Sequence, residues 1–397
     1  MKMKRILIIS EIFHPESGLV NDFAIELVRR GYEVEVLTHQ PSYPGGHVYP
    51  GYHNDKYSVE HWNGIVIHRI AVVEGYGSSK LKKILNYRAF VRRGKHIAKR
   101  IGESYDCVFV YQTGPLTVAL PGVYIKKKFK KPLFVWTFDI WPDAVYAYGF
   151  PRIAPLTLFL NHLIRKVYRN SDHILVSSRK FIESIRVYVP DRPVTYAPNW
   201  LVEETHKVSG VRLDTSRFNF TFAGNISKAQ NLENVLLGWA KTRFVIPVAL
   251  NIIGEGSSLK SLRELVERRS IPNVYFWGRY PSDQVEDILR QSDVLVLPLI
   301  ADPGIQKTEP FKLQTYLHVG KPIFGIAYGS IQDIVEMNGL GICAAPNHPD
   351  EIAAKFQEMV PFAEKCHKEV AERSRMLLLS RFDKEQIISR ILSIMSK

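Results

Sequence analysis

The stretch from residue 294 to residue 326 constrains the fold most strongly, because strand, helix and strand signals follow one another directly. The apolar run Val294–Ile300 is typical of a buried parallel strand. Gly320 and Pro322 mark the end of a helix and the opening of a second strand, Ile323–Ile326. The helix between them carries an apolar stripe made of Phe311, Leu313, Tyr316 and Leu317. This stretch therefore predicts a strand–helix–strand unit with parallel strands.

Lys312 falls in the first turn of that helix. Free N–H groups and the helix dipole both favour phosphate at a helix start, and a lysine adds a full positive charge. The stretch therefore predicts an anion site. The alternative is an ordinary unit of this kind with a solvated Lys312.

Strand and helix signals alternate in both halves of the chain, which predicts an α/β fold of two doubly wound, Rossmann-like domains. The 397 residues are enough for two domains of ordinary size. A helix from Asp22 to Arg30, stopped by Gly31, follows the first strand. The predicted strands are Arg5–Ile9, Glu33–Thr38, Val66–Ile70, Cys107–Tyr111, Leu133–Thr137, His173–Val176, Val194–Ala197, Phe218–Ala223, Val248–Ile253, Val274–Trp277, Val294–Leu297, Ile323–Ile326 and Gly341–Ala344.

A polar stretch from Trp200 to Asp214 is the best candidate for a domain boundary. We expect one domain at residues 1–200, a second at 201–378, and a C-terminal helix at 379–397 that crosses back to the first. Residues 39–64 are rich in Pro, Gly and Tyr and follow the carboxyl end of a strand. Loops at that edge line the ligand crevice in open sheets, although surface decoration is the alternative.

Positive charge is concentrated in the first half. The chain carries a formal net charge of +14, and residues 1–200 hold 29 Lys and Arg against 16 Asp and Glu. Residues 201–397 hold 24 against 23. The first half is therefore expected to face something anionic, which leaves phospholipid, nucleic acid or a phosphorylated substrate open.

Residues 80–101 predict a helix that mixes nine basic residues with the apolar stripe Leu81, Ile84, Leu85, Ala89, Val91, Ile97 and Ile101. Interfacial helices have this composition, and the run Lys126–Lys131 adds a second basic cluster. We therefore predict docking on an anionic membrane surface. The alternative is a solvated helix face packed on the domain by its stripe. The residues predicted to meet membrane or acceptor are Lys82, Lys83, Arg88, Arg92 and Arg93.

Cysteine and histidine usage argues against disulfides and metal sites. Cys107, Cys343 and Cys366 are far apart, as expected of a reduced, cytosolic chain. The thirteen histidines show no metal-ligand spacing, which predicts no metal site. The first apolar run is short and meets Glu11, so it predicts a strand and not a signal peptide. No apolar run approaches the roughly 20 residues that a bilayer requires.

Short motifs along nearly the whole chain resemble the family 4 glycosyltransferases of the GT-B fold. The similarity is closest to the bacterial WbuB-like branch, which adds N-acetylated deoxysugars during O-antigen or capsule assembly. The motifs are Phe13–Gly18, Pro41–Gly45, Asp139–Pro142, Gly224–Gln230, Pro310–Leu317 and Gly320–Pro322.

This resemblance implies a retaining, metal-independent glycosyltransferase whose two domains face each other across a cleft. It implies a nucleotide-sugar donor, UDP-linked, on the second domain and a lipid-diphosphate-linked saccharide acceptor on the first. It implies no cofactor and no nucleic acid partner, and a cytoplasmic protein peripheral on the inner face of the cytoplasmic membrane. The chain has no Asp-x-Asp motif, which agrees with a diphosphate neutralised by side chains and helix ends.

Two departures from the family pattern concern the donor. Thr315 and Lys307 stand where the wider family has the glutamates of its E-x7-E motif, so the ribose must be held differently. Glu309 is a candidate substitute, two residues out of frame.

The second departure is at the diphosphate, where Asn225 and Gln230 replace an arginine and a lysine. Lys228 and Lys312 are the nearby cations that could replace them. By resemblance, the donor-binding residues are Gly18, Asn225, Lys228, Gln230, Gly254, Gly256, Arg279, Glu309, Pro310, Lys312, Leu313 and Thr315.

Asp139 and Glu16 are the predicted catalytic residues. Asp139 follows an apolar strand end, where a carboxylate has little reason to be present for packing. The family places a His or Asp near this position, against donor sugar or acceptor. Glu16, beside Gly18, could touch either substrate. The alternatives are a satisfied structural aspartate at residue 139 and a helix-capping glutamate at residue 16.

Two other function classes stay open from the sequence. A nucleotide-sugar epimerase shares the GT-B fold but needs acidic and histidine residues for proton transfer. A non-enzymatic basic module for nucleic acid or membrane needs, for nucleic acid, stacking aromatics within the basic helix, where Tyr87 and Phe90 make a weak case.

Overall fold

The structure is a computed structural model that describes residues 4–147, 149–202 and 207–396. The chain forms two compact units, Met1–Ala197 with Glu385–Lys397 and Pro198–Lys384. Each unit is built on a mainly parallel sheet with crossover helices, so the predicted fold class is confirmed. The return to the first unit begins at residue 385, later than the residue 379 expected from the sequence.

In the first domain, the described strands form one sheet in the order β3-β4-β2-β1-β5-β6-β7-β8. The strands are β1 Arg5–Ile9, β2 Glu33–His39, β3 Tyr57–Trp62, β4 Ile65–Ile70, β5 Cys107–Gln112, β6 Leu133–Thr137, β7 His173–Val176 and β8 Val194–Tyr196. The helices are α1 Leu19–Arg29, α2 Lys80–Ile101, α3 Leu120–Phe129, α4 Asp143–Ala147, α5 Ala154–Asn170 and α6 Phe181–Arg186. Helix α1 therefore starts at Leu19, whereas the sequence predicted a start at Asp22.

The edge strand β3 is absent from the sequence-based prediction, which treated residues 39–64 as one loop. It pairs antiparallel with β4 through a two-residue turn at Asn63 and Gly64. Both turn residues have positive φ, 47° and 77°, the backbone that an Asn-Gly hairpin turn requires. This dipeptide was the signal that could have revealed the strand.

Arg69 fastens the remaining loop, residues 40–56, from inside the domain. It lies on β4 and is almost fully buried. Its Nε donates to Glu60 Oε2 at 2.6 Å, and its guanidinium also donates to the backbone oxygens of His39 and His14. One buried cation thus joins the hairpin to the end of β2 and to the loop after β1, and its guanidinium carbon lies 5.3 Å from the ring of Tyr52 in the 40–56 loop.

Helix α2 has the predicted ends, but its apolar residues do not form one buried stripe. The packed face is made of Asn86, Phe90, Gly94, Ile97 and Ala98. Leu81, Ile84 and Leu85, in the first two turns, are exposed instead. A Cβ at Gly94 would lie 2.9 Å from Pro121 Cγ, so glycine allows α2 to approach α3 closely. None of the helices in the described ranges is long and apolar enough to cross a membrane.

The last helix of the chain, α13, belongs to the first domain. It spans Lys384–Met395 and buries Ile387, Ile388, Ile391 and Met395. Arg30, after α1, donates to Glu385 at 2.5 Å and to Ser389 at 3.2 Å. The C-terminal residues thus complete a surface that the first 197 residues leave uncovered.

In the second domain, the described strands form a parallel sheet in the order β11-β10-β9-β12-β13-β14. The strands are β9 Phe218–Ala223, β10 Val248–Ile253, β11 Val274–Gly278, β12 Val294–Pro298, β13 Ile323–Ile326 and β14 Gly341–Ala344. The helices are α7 Leu232–Lys241, α8 Leu259–Arg268, α9 Ser282–Arg290, α10 Lys312–Val319, α11 Gly329–Met337 and α12 Pro349–Arg381.

The strand–helix–strand unit from which the sequence analysis started is β12, α10 and β13, and its strands are parallel. Gly320 ends α10 with φ 71°, as the sequence predicted. Leu313, Tyr316 and Leu317 are buried, whereas Phe311 is 48% exposed. Phe311 is the residue before the helix, so its side chain leaves the stripe that the sequence assigned to it.

Candidate functional site

Two loops at the carboxyl edge of the second sheet pack against each other through their backbones. They follow β9 and β10, and Ile226 N donates to Glu255 O at 2.8 Å. A Cβ at Gly254 would lie 1.9 Å from Gly224 O, and a Cβ at Gly256 would lie 2.3 Å from Ile226 O. Only glycine fits at residues 254 and 256, so these two positions present backbone and no side chain.

Lys312 is the first residue of α10 and points at the same two loops. Its Nζ donates to Gln230 Oε1 at 2.5 Å and lies 4.0 Å from the centre of the Phe222 ring. A Cβ at Gly224 would be 3.0 Å from this Nζ. The Lys312 ammonium group, the Gln230 amide and the loop at Gly224 thus lie together at the start of α10.

The ammonium group of Lys312 has no negative partner. No carboxylate pairs with it among residues 4–147, 149–202 and 207–396, and burial lowers its pKa to about 7. A desolvated cation is costly unless an anion neutralises it. Backbone N–H groups at the start of α10 add further positive potential. This arrangement can bind a phosphate or diphosphate group.

The other residues predicted to bind donor are spread around this centre. Asn225, Lys228 and Arg279 are exposed. Gly278, next to Arg279, is joined to the glycine loops because its carbonyl accepts from Gly254 N at 2.7 Å. The side chain of Leu313 is fully buried in the core, so a predicted donor contact at this residue would have to come from its backbone.

Glu309, the candidate substitute for the missing family glutamate, is ion-paired within the second domain. It is 5% exposed, and its Oε1 accepts from Arg381 Nη2 at 2.8 Å. Arg381 ends α12, so the pair joins the loop before α10 to the longest helix of the domain. Thr315 is half-buried and lies one turn after Lys312. The backbone oxygen of Pro310 accepts a hydrogen bond from Leu313 N at 2.9 Å.

Asp139 lies just beyond β6, at the carboxyl edge of the first sheet. Its side chain is half-buried, and burial raises the pKa of its carboxyl to about 7, against the opposing charge of Lys83. Gln112, at the end of β5, donates to the Asp139 backbone oxygen at 3.2 Å and to the Gly114 oxygen at 2.5 Å. A carboxyl that titrates near neutral pH can accept or donate a proton there.

Glu16 has a different role from the one predicted. It is buried, and its carboxylate accepts from the backbone N–H groups of Ser42 at 2.8 Å, Tyr43 at 2.6 Å and Phe13 at 3.3 Å. These bonds fasten the 40–56 loop to the loop after β1. The helix-capping alternative does not hold either, because Gly18 occupies the N-cap of α1.

Gly18 has an extended backbone with φ −179°, and a Cβ there would meet only Val20 Cγ1, at 3.7 Å. The described part of the chain therefore gives no steric reason for glycine at this position. A ligand approaching the backbone remains the predicted reason.

Only part of the basic set predicted on α2 faces outward. Lys82, Arg88 and Arg92 are exposed, whereas Lys83 and Arg93 are half-buried. Arg93 donates to the Ala71 backbone oxygen at 2.6 Å. The charge of Lys83 acts on Asp139 and Glu11, as their pKa values show.

The first domain exposes apolar side chains on both α2 and α5. Lys80 Nζ donates to Gly149 O at 2.8 Å, which places α2 beside the segment that leads into α5. Leu81 is 67% exposed on α2, and Leu158 and Phe159 are 69% and 60% exposed on α5. Beside them, a cavity of about 370 Å³ is lined by basic residues. These are Lys127, His162, Arg165, Lys166 and Arg169.

Glu11 and Gln112 were missed by the sequence analysis. Glu11 follows β1 directly, at the same edge as Asp139, and burial raises its pKa to about 8. Its place at a strand end was the one signal available. Within the described ranges, no three His, Cys, Asp or Glu side chains are grouped so that they could hold a metal ion.

Two family models match the chain in succession. The model described as "Glycosyl transferase 4-like domain" matches residues 19–200, and "Glycosyl transferases group 1" matches residues 204–374. Among curated relatives, the WcaI glycosyl transferase of Escherichia coli (strain K12), provisionally assigned to colanic acid biosynthesis, is 22% identical. That match covers 98% of this chain and 99% of WcaI.

Solved structures with low sequence identity share the fold. Sucrose-phosphate synthase from Thermosynechococcus elongatus gives a TM-score of 0.76 at 15% identity, covering 98% of both chains. HepE from Anabaena, solved in complex with UDP, gives 0.66 at 12% identity and covers 99% of this chain and 100% of its own.

The candidate anion site predicts opposite effects of one substitution on binding and on stability. Lys312→Met keeps the apolar stem and removes the charge. We expect it to weaken UDP binding by at least about tenfold, since a charge-assisted contact is worth about 1.5–3 kcal/mol. Because burial lowers the Lys312 pKa from 10.5 to about 7, its charged form destabilises the fold below pH 7, and this cost disappears as pH rises towards 10.5. The variant should therefore unfold at a higher temperature than wild type at neutral pH.

Calorimetric titration with UDP and thermal unfolding on the same samples measure both effects. As the pH rises from about 6 to about 8, the UDP affinity of wild type should fall relative to that of the variant, because Lys312 loses its proton. Both proteins share the titration of the UDP phosphate, so this effect cancels in the comparison. Lys260→Met, at an exposed lysine of the same domain, serves as the control. Unchanged UDP affinity in Lys312→Met would contradict the assignment.

Proposed function

We propose that this chain transfers a sugar from a UDP-sugar to an acceptor in cell-surface polysaccharide assembly, and the premise is its family. The chain belongs to the family 4 glycosyltransferases of the GT-B fold. Support for the polysaccharide context comes from the full-length similarity to WcaI, and support for UDP comes from the complex of HepE. The single observation that carries the proposal is Lys312, a half-buried cation with no carboxylate partner in the described ranges, among glycine loops.

In the proposed reaction, the second domain holds the donor and the first holds the acceptor. The bond between sugar C1 and the diphosphate oxygen breaks, and UDP leaves with both bonding electrons. An acceptor oxygen forms the new bond to C1 and loses its proton. Lys312 stabilises the negative charge that develops on the leaving diphosphate, and its pKa rises when that anion is bound.

Asp139 is proposed to act at the reacting sugar or the acceptor hydroxyl. A carboxyl whose pKa is about 7 is partly ionised at neutral pH, so it can receive the acceptor proton. Retention of configuration, metal independence and an N-acetylated sugar are part of the proposal and rest on the family resemblance.

We propose a lipid-diphosphate-linked saccharide as acceptor, reached by docking of the first domain on the membrane. The apolar side chains exposed on α2 and α5 can enter the headgroup region, while the bases beside them meet lipid phosphate. The docking surface comprises Leu81, Lys82, Ile84, Leu85, Arg88 and Arg92 on α2 with Leu158 and Phe159 on α5. Lys83 and Arg93 are not part of it, because they are half-buried and face inward contacts.

An activity assay tests the core of the proposal. Purified protein with a UDP-sugar and a prenyl-diphosphate-linked monosaccharide should release free UDP, and release should depend on the acceptor. Conversion of the UDP-sugar without acceptor would support an epimerase instead. The absence of any reaction across a panel of UDP-sugars and acceptors would count against the transferase.

Asp139→Asn should lower turnover by roughly 10²-fold, the lower range for a positioned proton acceptor. UDP affinity should not change, because the residue acts away from the nucleotide. The fold should not lose stability, since burial already favours the neutral carboxyl and the amide has the same shape. Steady-state rates and UDP titration on one sample check both points. Asp191→Asn, at an exposed aspartate of the same domain, is the control, and near-normal turnover in Asp139→Asn would return Asp139 to a structural role.

Docking should appear as co-sedimentation with vesicles rich in anionic phospholipid at low salt. Each base near such a surface contributes about 1 kcal/mol, so replacing Lys82, Arg88 and Arg92 by Ser should abolish most binding. Leu81→Ser with Leu85→Ser should remove the part of binding that survives high salt. The matched control replaces three exposed bases of the second domain, Lys365, Lys368 and Arg375, by Ser. Wild-type protein that ignores anionic vesicles at low salt would favour a soluble phosphorylated acceptor.

A further inference from the structure

Glu11 and Asp139 lie at the same edge of the first sheet, two strands apart. Glu11 follows β1 and Asp139 follows β6, and β5 lies between these strands. Two strand spacings amount to about 10 Å. The ends of these two strands are therefore far enough apart for one sugar ring to lie between them.

Gln112, at the end of the intervening strand, fixes the loops that lie between the two acids. Its Nε2 donates to Gly114 O at 2.5 Å and to Asp139 O at 3.2 Å, and its Oε1 accepts from the Thr137 hydroxyl. One fully buried amide therefore sets the positions of both Gly114 and Asp139.

Gly114 leaves a gap beside Glu11. A Cβ at Gly114 would lie 3.2 Å from Glu11 Oε2, and apart from the chain neighbours no other atom of the described residues lies within 4 Å of that position. The gap is therefore at hydrogen-bond distance from a carboxyl oxygen and open on its other sides. The φ of Gly114 is outside the left-handed region, so backbone conformation does not require glycine.

The second oxygen of Glu11 is enclosed. In the described ranges, Oε1 has neither solvent contact nor a hydrogen-bond partner. An ionised carboxylate with an enclosed, unpaired oxygen is costly, so the neutral acid is favoured. Burial accordingly raises the pKa of Glu11 to about 8; Lys83 opposes this rise and Glu16 adds to it. At neutral pH, Glu11 can thus donate a hydrogen bond as well as accept one.

Lys83 is the cation common to both acids. It is half-buried on the first turn of α2, and its charge lowers the pKa of both Glu11 and Asp139. In the described ranges, a carboxyl oxygen is the group that lies within 4 Å of the gap at Gly114, and a carboxyl would repel a phosphate once it loses its proton. Neutral hydroxyl groups are the matching ligand chemistry.

We propose that the gap at Gly114, beside Glu11, binds the acceptor saccharide through one of its hydroxyl groups, with Glu11 Oε2 as the hydrogen-bond partner. This inference rests on the proposed function, since it assigns the acceptor's sugar to a defined place in the first domain. Asp139 meets the reacting hydroxyl, and Glu11 selects the acceptor by a second one. A site that hydrogen-bonds a substrate hydroxyl discriminates strongly against analogues that lack it.

Gly114→Ala tests the gap directly, because it fills the space without straining the backbone. The probes are the octyl glycosides of glucose, galactose and N-acetylglucosamine, with binding followed by titration and by thermal shift. We expect at least one glycoside to bind wild type. Gly114→Ala and Glu11→Ala should each weaken that binding by about tenfold or more, a difference of about 1.4 kcal/mol. UDP affinity should stay within about twofold of wild type in both variants, because UDP is proposed to bind the second domain.

Glu11→Gln separates a hydrogen-bonding role from a merely structural one. The amide keeps a donor and cannot ionise, so it should retain most glycoside affinity. Wild-type affinity should decline above about pH 8, where Glu11 loses its proton, and the decline should be absent in Glu11→Gln. Glu103→Ala, at an exposed glutamate of the same domain, is the control.

The outcomes distinguish this site from the transferase proposal. Glycoside binding that depends on Gly114 but without sugar transfer would keep the saccharide site and remove the transferase. Sugar transfer whose acceptor KM is unaffected by Gly114→Ala and Glu11→Ala would keep the transferase and overturn the site. Failure of wild type to bind any of the three glycosides would also overturn it.

Discussion

Parallel strands impose the geometry on which the candidate site depends. Apart from the β3–β4 hairpin, the described neighbouring strands are parallel, so their carboxyl ends meet at one edge of each sheet. In the second domain this edge gathers the loops after β9 and β10 and the loop that leads from β12 into α10, and with them Lys312. In the first domain it gathers Glu11, Gln112 and Asp139. Residues that are distant in the sequence therefore lie at the same edge of the sheet.

The two domains use burial in opposite ways. In the second, burial favours the neutral form of a lysine, and an incoming anion would restore its charge. In the first, burial favours the neutral form of two carboxyls, which suits hydroxyl ligands. Both arrangements reduce the stability of the fold at neutral pH, as expected of groups kept for binding and catalysis.

The sequence was informative wherever a local pattern decides the structure. The buried strands and the limits of α2 follow from apolar runs and helix signals, and Lys312 follows from its place after β12. It was uninformative where a contact depends on distant residues. Glu16 resembles an active-site acid in the sequence, but three backbone N–H groups from two loops take up its carboxylate. Lys83 and Lys82 look equivalent along the chain, yet only the fold shows that Lys83 turns towards acids. Glu11 carries no motif, so its burial could be known only from the packed loops around it.

The return of α13 to the first domain has a consequence for how this chain can be divided. Residues 1–197 alone would expose the apolar surface that is covered by Ile387, Ile388, Ile391 and Met395 of α13. Arg30 would also lose its partner Glu385. The second domain, Pro198–Lys384, is by contrast a continuous insert inside the first. Recombination between relatives can therefore exchange the second domain as a single cassette with two junctions, whereas an exchange at one junction would give each hybrid a final helix evolved for a different partner surface.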